Sequence, residues 1–463
     1  VRLSSSSSSS STAQHFERKW STPLAKTLAD AIATTGPISV AAYMRQCLTS
    51  PSGGYYTTPH TGHDPFGAAG DFITSPEISQ IFGELIGLWV VAEWMAQGRR
   101  DRVQVIEIGP GRGTLMDDVL RTCRAFRPFA QAVDAVYLVE RSAHLRDAQH
   151  KLLCGDAPLE ECDIGHASVS KYGQRVLWSE EMSFVPSDPS TSPFILAHEL
   201  FDALPIHIFQ SVSTPPSPSK LTISTSPTPP PQPKPQTEWR ELLVTPTPPP
   251  SPFAKPSGGS TPDFTLTLSP LPTPHSAYLP STSPRYRALL PTPGSTIEIS
   301  PESLALAFSI ATRIGGSPST PRDPAGAALI LDYGPADTIP TNSLRGIRAH
   351  ARVSPFETPG EVDLSADVDF GALAEAAINA SEGVEVHGPV EQAYFLSAMG
   401  GKERAEQLVR GLGGTEAVQR IEGAWRRLVD RGPNGMGKIY KALAIVPYVG
   451  GKVRRPVGFG GDV

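Results

Sequence analysis

The sequence predicts an α/β fold built on a parallel sheet with helices on both faces. Three observations carry this. From Arg102 onward, short apolar strands alternate with helical stretches, which is the order a βαβα layering needs. The first strand, Val103 to Ile108, runs into Gly109-Pro110-Gly111-Arg112-Gly113 and then a helix. The first two strands finish at carboxylates, Glu107 and Glu140, and a later one at His198-Glu199. Charge at strand ends marks the edge of an open sheet where ligands bind.

Each element has its own signal. Pro23 to Ala33 reads as a helix, and Ile38 to Cys47 as a second one capped by Ser39. Gly53 to Gly70 is a long loop rich in Tyr, His and Phe, the kind that is functional or disordered. Ser75, with Pro76 at the first helical position, opens an apolar helix from Ile78 to Met95. Leu115 to Phe126 and Ser142 to Leu153 are helices, while Ala135 to Val139, Val176 to Trp178 and Phe194 to Ala197 are strands. After Pro301 to Ile314 (helix) and Ala327 to Asp332 (strand) comes a polar loop with Arg345, Arg348, His350 and Arg352, read as solvated. Phe370 to Asn379, Lys402 to Arg410 and Thr415 to Asp430 are helical.

Composition divides the chain. Residues 1–19 are Ser-rich with no acid before Glu17, which fits the tail of a mitochondrial transit peptide as well as plain low-complexity disorder. Residues 20–100 form a helical cover and 101–210 the first part of the core. Residues 211–293 are dominated by Pro, Ser and Thr and are expected to be disordered, apart from strand islands at Glu238 to Val244 and Phe264 to Leu268. Residues 294–447 complete the core with helical additions, and 448–463 are a tail.

The net charge of −6 argues against a general nucleic-acid binder. No apolar run is long enough to span a bilayer. The four cysteines form no C-x-x-C pair and no His cluster completes a zinc motif, so no metal is expected and the thiols read as free.

Chemistry concentrates at two places. The glycine turn has the spacing G-x-G-x-G, and position 114 is Thr where a nicotinamide fingerprint needs glycine. A donor with a cationic amino group and no pyrophosphate would suit Glu107 beside Gly109, Gly111 and Gly113, with Glu140 on the ribose hydroxyls. The second is Leu196-Ala197-His198-Glu199-Leu200-Phe201-Asp202-Ala203-Leu204-Pro205. Glu199 and Asp202 could hold a guanidinium in fork geometry. Asp71, in Gly70-Asp71-Phe72-Ile73-Thr74-Ser75-Pro76-Glu77, is a further acid that could reach the same cleft.

Taken together, the runs Gly70 to Ser79, Phe82 to Gly87, Glu107 to Met116, His198 to Pro205, Leu331 to Gly334, Pro359 to Ser365, Val368 to Phe370 and Met436-Gly437 resemble the MidA-like methyltransferases. The likeness extends over about residues 35 to 447, outside the Pro-rich inserts. It implies a Rossmann-like, seven-strand-type methyltransferase sheet and S-adenosyl-L-methionine as methyl donor. It implies a protein arginine acceptor on a respiratory complex I core subunit, symmetric dimethylation and a mitochondrial matrix location. Glu199, Asp202 and Asp71 are then the catalytic candidates, and Glu107, Gly109, Gly111, Gly113 and Glu140 the donor ligands. The chain departs from the family pattern at His198, where Asn is usual, and at Asp367, where His is common. The rival readings are a non-catalytic assembly factor that keeps the donor site, a small-molecule methyltransferase and a nicotinamide oxidoreductase.

Overall fold

The computed structural model describes residues 18–58, 73–214, 236–249, 261–410, 414–451 and 453–460. Its centre is a mixed sheet. Five strands run parallel, in the spatial order Ala327–Tyr333, Ser192–His198, Val103–Ile108, Val133–Val139, Arg175–Ser179. By chain order that is 5-4-1-2-3, the Rossmann arrangement. Tyr440–Pro447 adds antiparallel to Ala327–Tyr333, and Val384–Glu391 lies antiparallel outside it. This is the seven-strand-type sheet expected from the resemblance. Two short strands, Glu160–Cys162 and Gly165–Val169, extend the opposite edge.

The central strands are buried on both faces, so their side chains alternate between two cores. Val103, Val105, Phe194, Leu196, Leu329 and Leu331 point to one layer, where Gln80–Ala96 and Thr114–Cys123 pack. Ile106, Ile108, Ile195, Ala197, Ala328 and Ile330 point to the other, under Pro301–Gly315 and Phe370–Ala380. The helix Gln80–Ala96 is apolar almost all round, and such a helix must be covered. Its two acids find arginines from the neighbouring helix and from the C-terminal part of the chain. Glu84 accepts from Arg121 at 2.8 Å and Arg404 at 2.7 Å, and Glu93 takes a two-pronged contact from Arg454.

The strand order reverses between Val103–Ile108 and Ser192–His198, and the cleft outside their carboxyl ends is the topological switch point. Helix Val40–Thr49 closes over it, packed with Pro23–Thr35 in a third core built with the strands around Ile208 and Val244. Ser39 caps Val40–Thr49, with its hydroxyl accepting from the Ala42 amide.

Several expectations need correction. The helix expected from Ile78 begins as a separate turn, Ser75–Ile78, capped by Thr74 rather than Ser75, and restarts at Gln80 with Ser79 as cap. The Pro-rich tract is more ordered than its composition suggested. Its islands are the strands Gln236–Pro246 and Phe264–Leu268, which pair with each other and with His207–Thr214 in a five-stranded antiparallel sheet. Beyond them, Pro274–Tyr278 and Pro284–Leu289 are helical, and Tyr286 is fully buried. Proline fits there because it occupies first-turn positions, where no amide donor is needed. Residues 215–235 and 250–260, where the expectation of disorder was strongest, lie outside the described residues. Arg345 is not solvated. Arg345–Arg348 and Ala351–Val353 form a small sheet with Asp363–Ser365, and Arg345 bonds Asp367 at 2.7 Å. No helix among the described residues is long and apolar enough to cross a membrane.

Candidate active site

A cavity of about 420 Å³ occupies the switch point. On one side it is lined by the glycine turn, Glu107, Glu140 and Ser142, and on the other by His198, Glu199, Asp202, Tyr56 and Asp363.

The donor side is built by the first two strands. Gly109, Gly111 and Gly113 have φ of 69°, 53° and 84°. At Gly111 this left-handed geometry lets the backbone line the cavity without a side chain in it. Gly113 starts the helix Thr114–Cys123, whose first amides have no side-chain cap among the described residues. Glu107 is 2% exposed, and its Oε2 has no hydrogen-bond partner among the described residues. Burial, with the Glu140 carboxylate nearby, pushes its carboxyl up to about 8. Burial raises Glu140 to about 7, although the Ser142 amide (2.8 Å) and Gln149 (3.1 Å) draw it back.

Gln149 is a residue the sequence reading missed. Its side-chain amide donates to the Gly111 carbonyl at 2.6 Å as well as to Glu140, and its oxygen accepts from the Trp178 indole at 2.9 Å. One buried glutamine therefore locks the glycine turn to the acid at the second strand. Its only sequence signal is a polar residue on the packed face of Ala143–Cys154.

The other side is an acidic, aromatic pocket. Glu199 has φ 48°, an uncommon value for a residue with a side chain and one that stores strain at sites. Asp332 holds that turn in place. It is fully buried, and its Oδ2 accepts from the amides of Leu200, Phe201 and Asp202 at 3.1, 2.8 and 3.3 Å. Burial, then the Asp202 charge, pushes the Glu199 carboxyl up to about 8. Burial also raises Asp202, which accepts from the Tyr333 hydroxyl and is drawn back by it and by Arg345. The Arg345 guanidinium lies 4.7 Å over the Tyr333 ring. Tyr56 donates to Asp363 at 2.9 Å. His198 packs against Phe82, and burial lowers it to about 3, so it is neutral. Glu199 Oε1, Asp202 Oδ1 and His198 Nε2 have no hydrogen-bond partner among the described residues. Sequence reasoning did not single out Tyr56, Asp332, Tyr333 or Asp363 as site residues. Asp71 lies outside the described residues.

Two expected outcomes follow from the buried acids. Glu107 keeps its proton up to about 8 in the folded chain but loses it near 4.5 when unfolded. Its contribution to stability is complete below the lower value and disappears as pH rises through the upper one. Thermal melting of the ligand-free protein should therefore show a decline in stability over that window, to which Glu140 and Glu199 also contribute, and Glu107→Gln should make it shallower. In the second, Asp332→Ala leaves three buried amides without their acceptor, each costing about 1–3 kcal/mol. Chemical denaturation should show a loss of at least ~3 kcal/mol, and a smaller loss in Asp332→Asn, which keeps one acceptor oxygen.

The order of the strands, a glycine turn with flanking acids at the switch point and the absence of a third fingerprint glycine define the donor-binding fold of an adenosylmethionine-dependent methyltransferase. Comparison with known proteins agrees. Residues 85–390 match the family described as "Putative S-adenosyl-L-methionine-dependent methyltransferase". The chain is 36% identical to the Drosophila melanogaster homolog of protein arginine methyltransferase NDUFAF7, mitochondrial, over 92% of this chain and 85% of that one. It is 33% identical to the Homo sapiens protein of that name, over 94% and 86%. A superfamily member from Burkholderia thailandensis, solved bound to S-adenosyl-homocysteine, shares the fold with a TM-score of 0.64 at 22% identity, over 95% of this chain and 92% of that one. The chain belongs to this family of S-adenosyl-L-methionine-dependent methyltransferases, and S-adenosyl-L-methionine is its methyl donor.

The residues present fit that donor. The Glu107 oxygen without a hydrogen bond among the described residues suits a cationic ammonium, and the oxygens of Glu140 keep lone pairs for the ribose hydroxyls. When bound, the donor supplies a methyl group already activated on a sulfonium.

Proposed function

We propose that the protein transfers this methyl group to an arginine side chain of another protein, a respiratory complex I subunit in the mitochondrion, and that the product is symmetric dimethylarginine. The observation that carries the reading is the paired carboxylates, Glu199 and Asp202, which line the donor cavity and each keep an oxygen that accepts no hydrogen bond among the described residues. Two acids with open acceptor oxygens match the forked donors of a guanidinium. The relatives named protein arginine methyltransferase and mitochondrial support the acceptor class and the location.

In this reading Glu107 and Glu140 hold the donor, and the amides of the glycine turn seat its amino-acid end. Glu199 and Asp202 orient the guanidinium so that one nitrogen lies in line with the methyl group. Both carboxyls are raised by burial, so the arriving cation lowers them and draws them to the ionised state. The ionised pair holds the two other nitrogens and localises the positive charge away from the attacking one. Tyr333 and Asp332 position the pair, and the aromatic walls exclude water. Asp71 remains a candidate for the same acceptor face.

The test is incubation of the full chain with isotopically labelled S-adenosyl-L-methionine and purified complex I subunits, read by mass spectrometry. Symmetric dimethylarginine on one subunit is the expected product. Label found only on free metabolites would replace the acceptor with a small molecule, and label on no acceptor would leave an assembly factor that binds the donor without using it.

A further inference from the structure

The sequence holds no zinc motif, yet the fold gathers three metal-ligating side chains from separate elements. His207 begins the strand His207–Thr214, Glu241 sits in Gln236–Pro246, and His275 is on the short helix Pro274–Tyr278. One ligand atom from each lies within 4.8 Å of the other two. None of the three lines the donor cavity.

We infer that His207, Glu241 and His275 form a binding site for a divalent transition-metal ion of the zinc class, which clamps the helix Pro274–Tyr278 onto the antiparallel sheet. The geometry is close to what such an ion needs. Zinc bonds of about 2.0–2.2 Å in tetrahedral array put ligand atoms roughly 3.3 Å apart. Here His207 Nδ1 is 2.7 Å from Glu241 Oε1, and His275 Nδ1 is 3.6 Å from Glu241 Oε2. Each imidazole nitrogen thus faces one oxygen of the same carboxylate, and a small closure of the three groups brings them to that spacing. The two imidazole rings are 4.2 Å apart, centre to centre.

The carboxylate is held ready. Glu241 is buried, and its backbone is bonded on both sides to Ser269: its amide donates to the Ser269 hydroxyl at 3.1 Å and its carbonyl accepts from the Ser269 amide at 2.8 Å. Thr273, which caps the helix bearing His275, donates its hydroxyl to Glu241 Oε2. Outer partners of this kind fix ligand orientation. One carboxylate and two imidazoles match zinc and its neighbours better than calcium or magnesium, which prefer oxygen alone. Without the ion, His207 and Glu241 share a hydrogen bond. On binding, Nδ1 gives up its hydrogen and the neutral ring carries it on Nε2 instead. The His275 side chain is 52% exposed, so the ion has an entry path and a fourth position for water. Glu241 lies on a strand and His275 on a separate short helix, so the ion would tie that helix to the sheet and stabilise the fold.

The test uses the full chain after dialysis against chelator, titrated with zinc chloride against a chromophoric competitor. One equivalent should bind and raise the thermal midpoint. His275→Ala, on the exposed side, should keep the fold and the affinity for S-adenosyl-L-methionine but weaken zinc by at least ~10-fold. Glu241→Gln should do the same while preserving shape. Cobalt in place of zinc should give the visible absorption of a tetrahedral site, absent in His275→Ala. No saturable binding, or binding equal in wild type, His275→Ala and Glu241→Gln (zinc held elsewhere), would overturn the assignment.

Discussion

Gly111→Val is expected to bring S-adenosyl-L-methionine binding below detection while leaving the chain folded. The φ of 53° at Gly111 is left-handed. A left-handed conformation costs an ordinary residue about 1–2 kcal/mol, and a β-branched one more. Gly111 lines the cavity, so a shift of its backbone alters the wall the donor meets. The Gly111 carbonyl accepts from Gln149, so displacement of the turn would also loosen Glu140, which the same glutamine holds. Calorimetric titration reads the loss, and a melting curve with a cooperative transition shows that the fold persists. Retained affinity in this variant would move the donor away from the glycine turn and undo the assignment of Glu107 and Glu140.

The second large effect is on turnover. Glu199→Gln and Asp202→Asn are each expected to cut the methylation rate by about 10²-fold, the scale of one lost electrostatic contact in a water-excluded site. Donor affinity should change by less than roughly threefold, because neither side chain is on the donor side. The two variants also separate in pH. Burial holds the Glu199 carboxyl up to about 8, so part of the free enzyme carries a proton there at neutral pH. The group is ionised above that value, and only the ionised form grips a guanidinium at full strength. Wild-type kcat/KM should therefore rise with pH through about 8, and Glu199→Gln should lose that rise. Unchanged rates in both variants would remove the carboxylate pair from the reaction and leave the acceptor undefined.

Much of the core was legible in the sequence because its strands are short apolar runs flanked by glycines and acids. Val103 to Ile108 and the run into Thr114 carry their own geometry: a buried strand, a turn that only glycine makes comfortably, and a helix start. The edge of the sheet was less legible. Val384–Glu391 holds Gly388 and Pro389, which argue against a strand interior, and they are tolerated because this strand is outermost and bulges between His387 and Val390. Tyr440–Pro447 holds the apolar run Ala442 to Val446 behind Lys441, and so short a run fits a buried helix as well as a buried strand until its neighbours are known.

The candidate site divides along the same line. The sequence by itself determined the local parts: which of the central parallel strands form, where their acids fall, and that the glycine turn lacks the third glycine of a nicotinamide fingerprint. It also determined, through His198 to Pro205, that two carboxylates lie near the end of one strand. Only the tertiary structure decided what those carboxylates are worth. Asp332 takes three amides from a segment some 130 residues away, Tyr333 and Arg345 converge on Asp202, and Tyr56 and Asp363 close the wall. Burial then raises acids that in an open chain would titrate ordinarily. The physical reason is range. Hydrophobic periodicity and turn chemistry act over a few residues and can be read along the chain. Desolvation and charge coupling depend on which distant residues share one small volume, and that is set only when the sheet has closed.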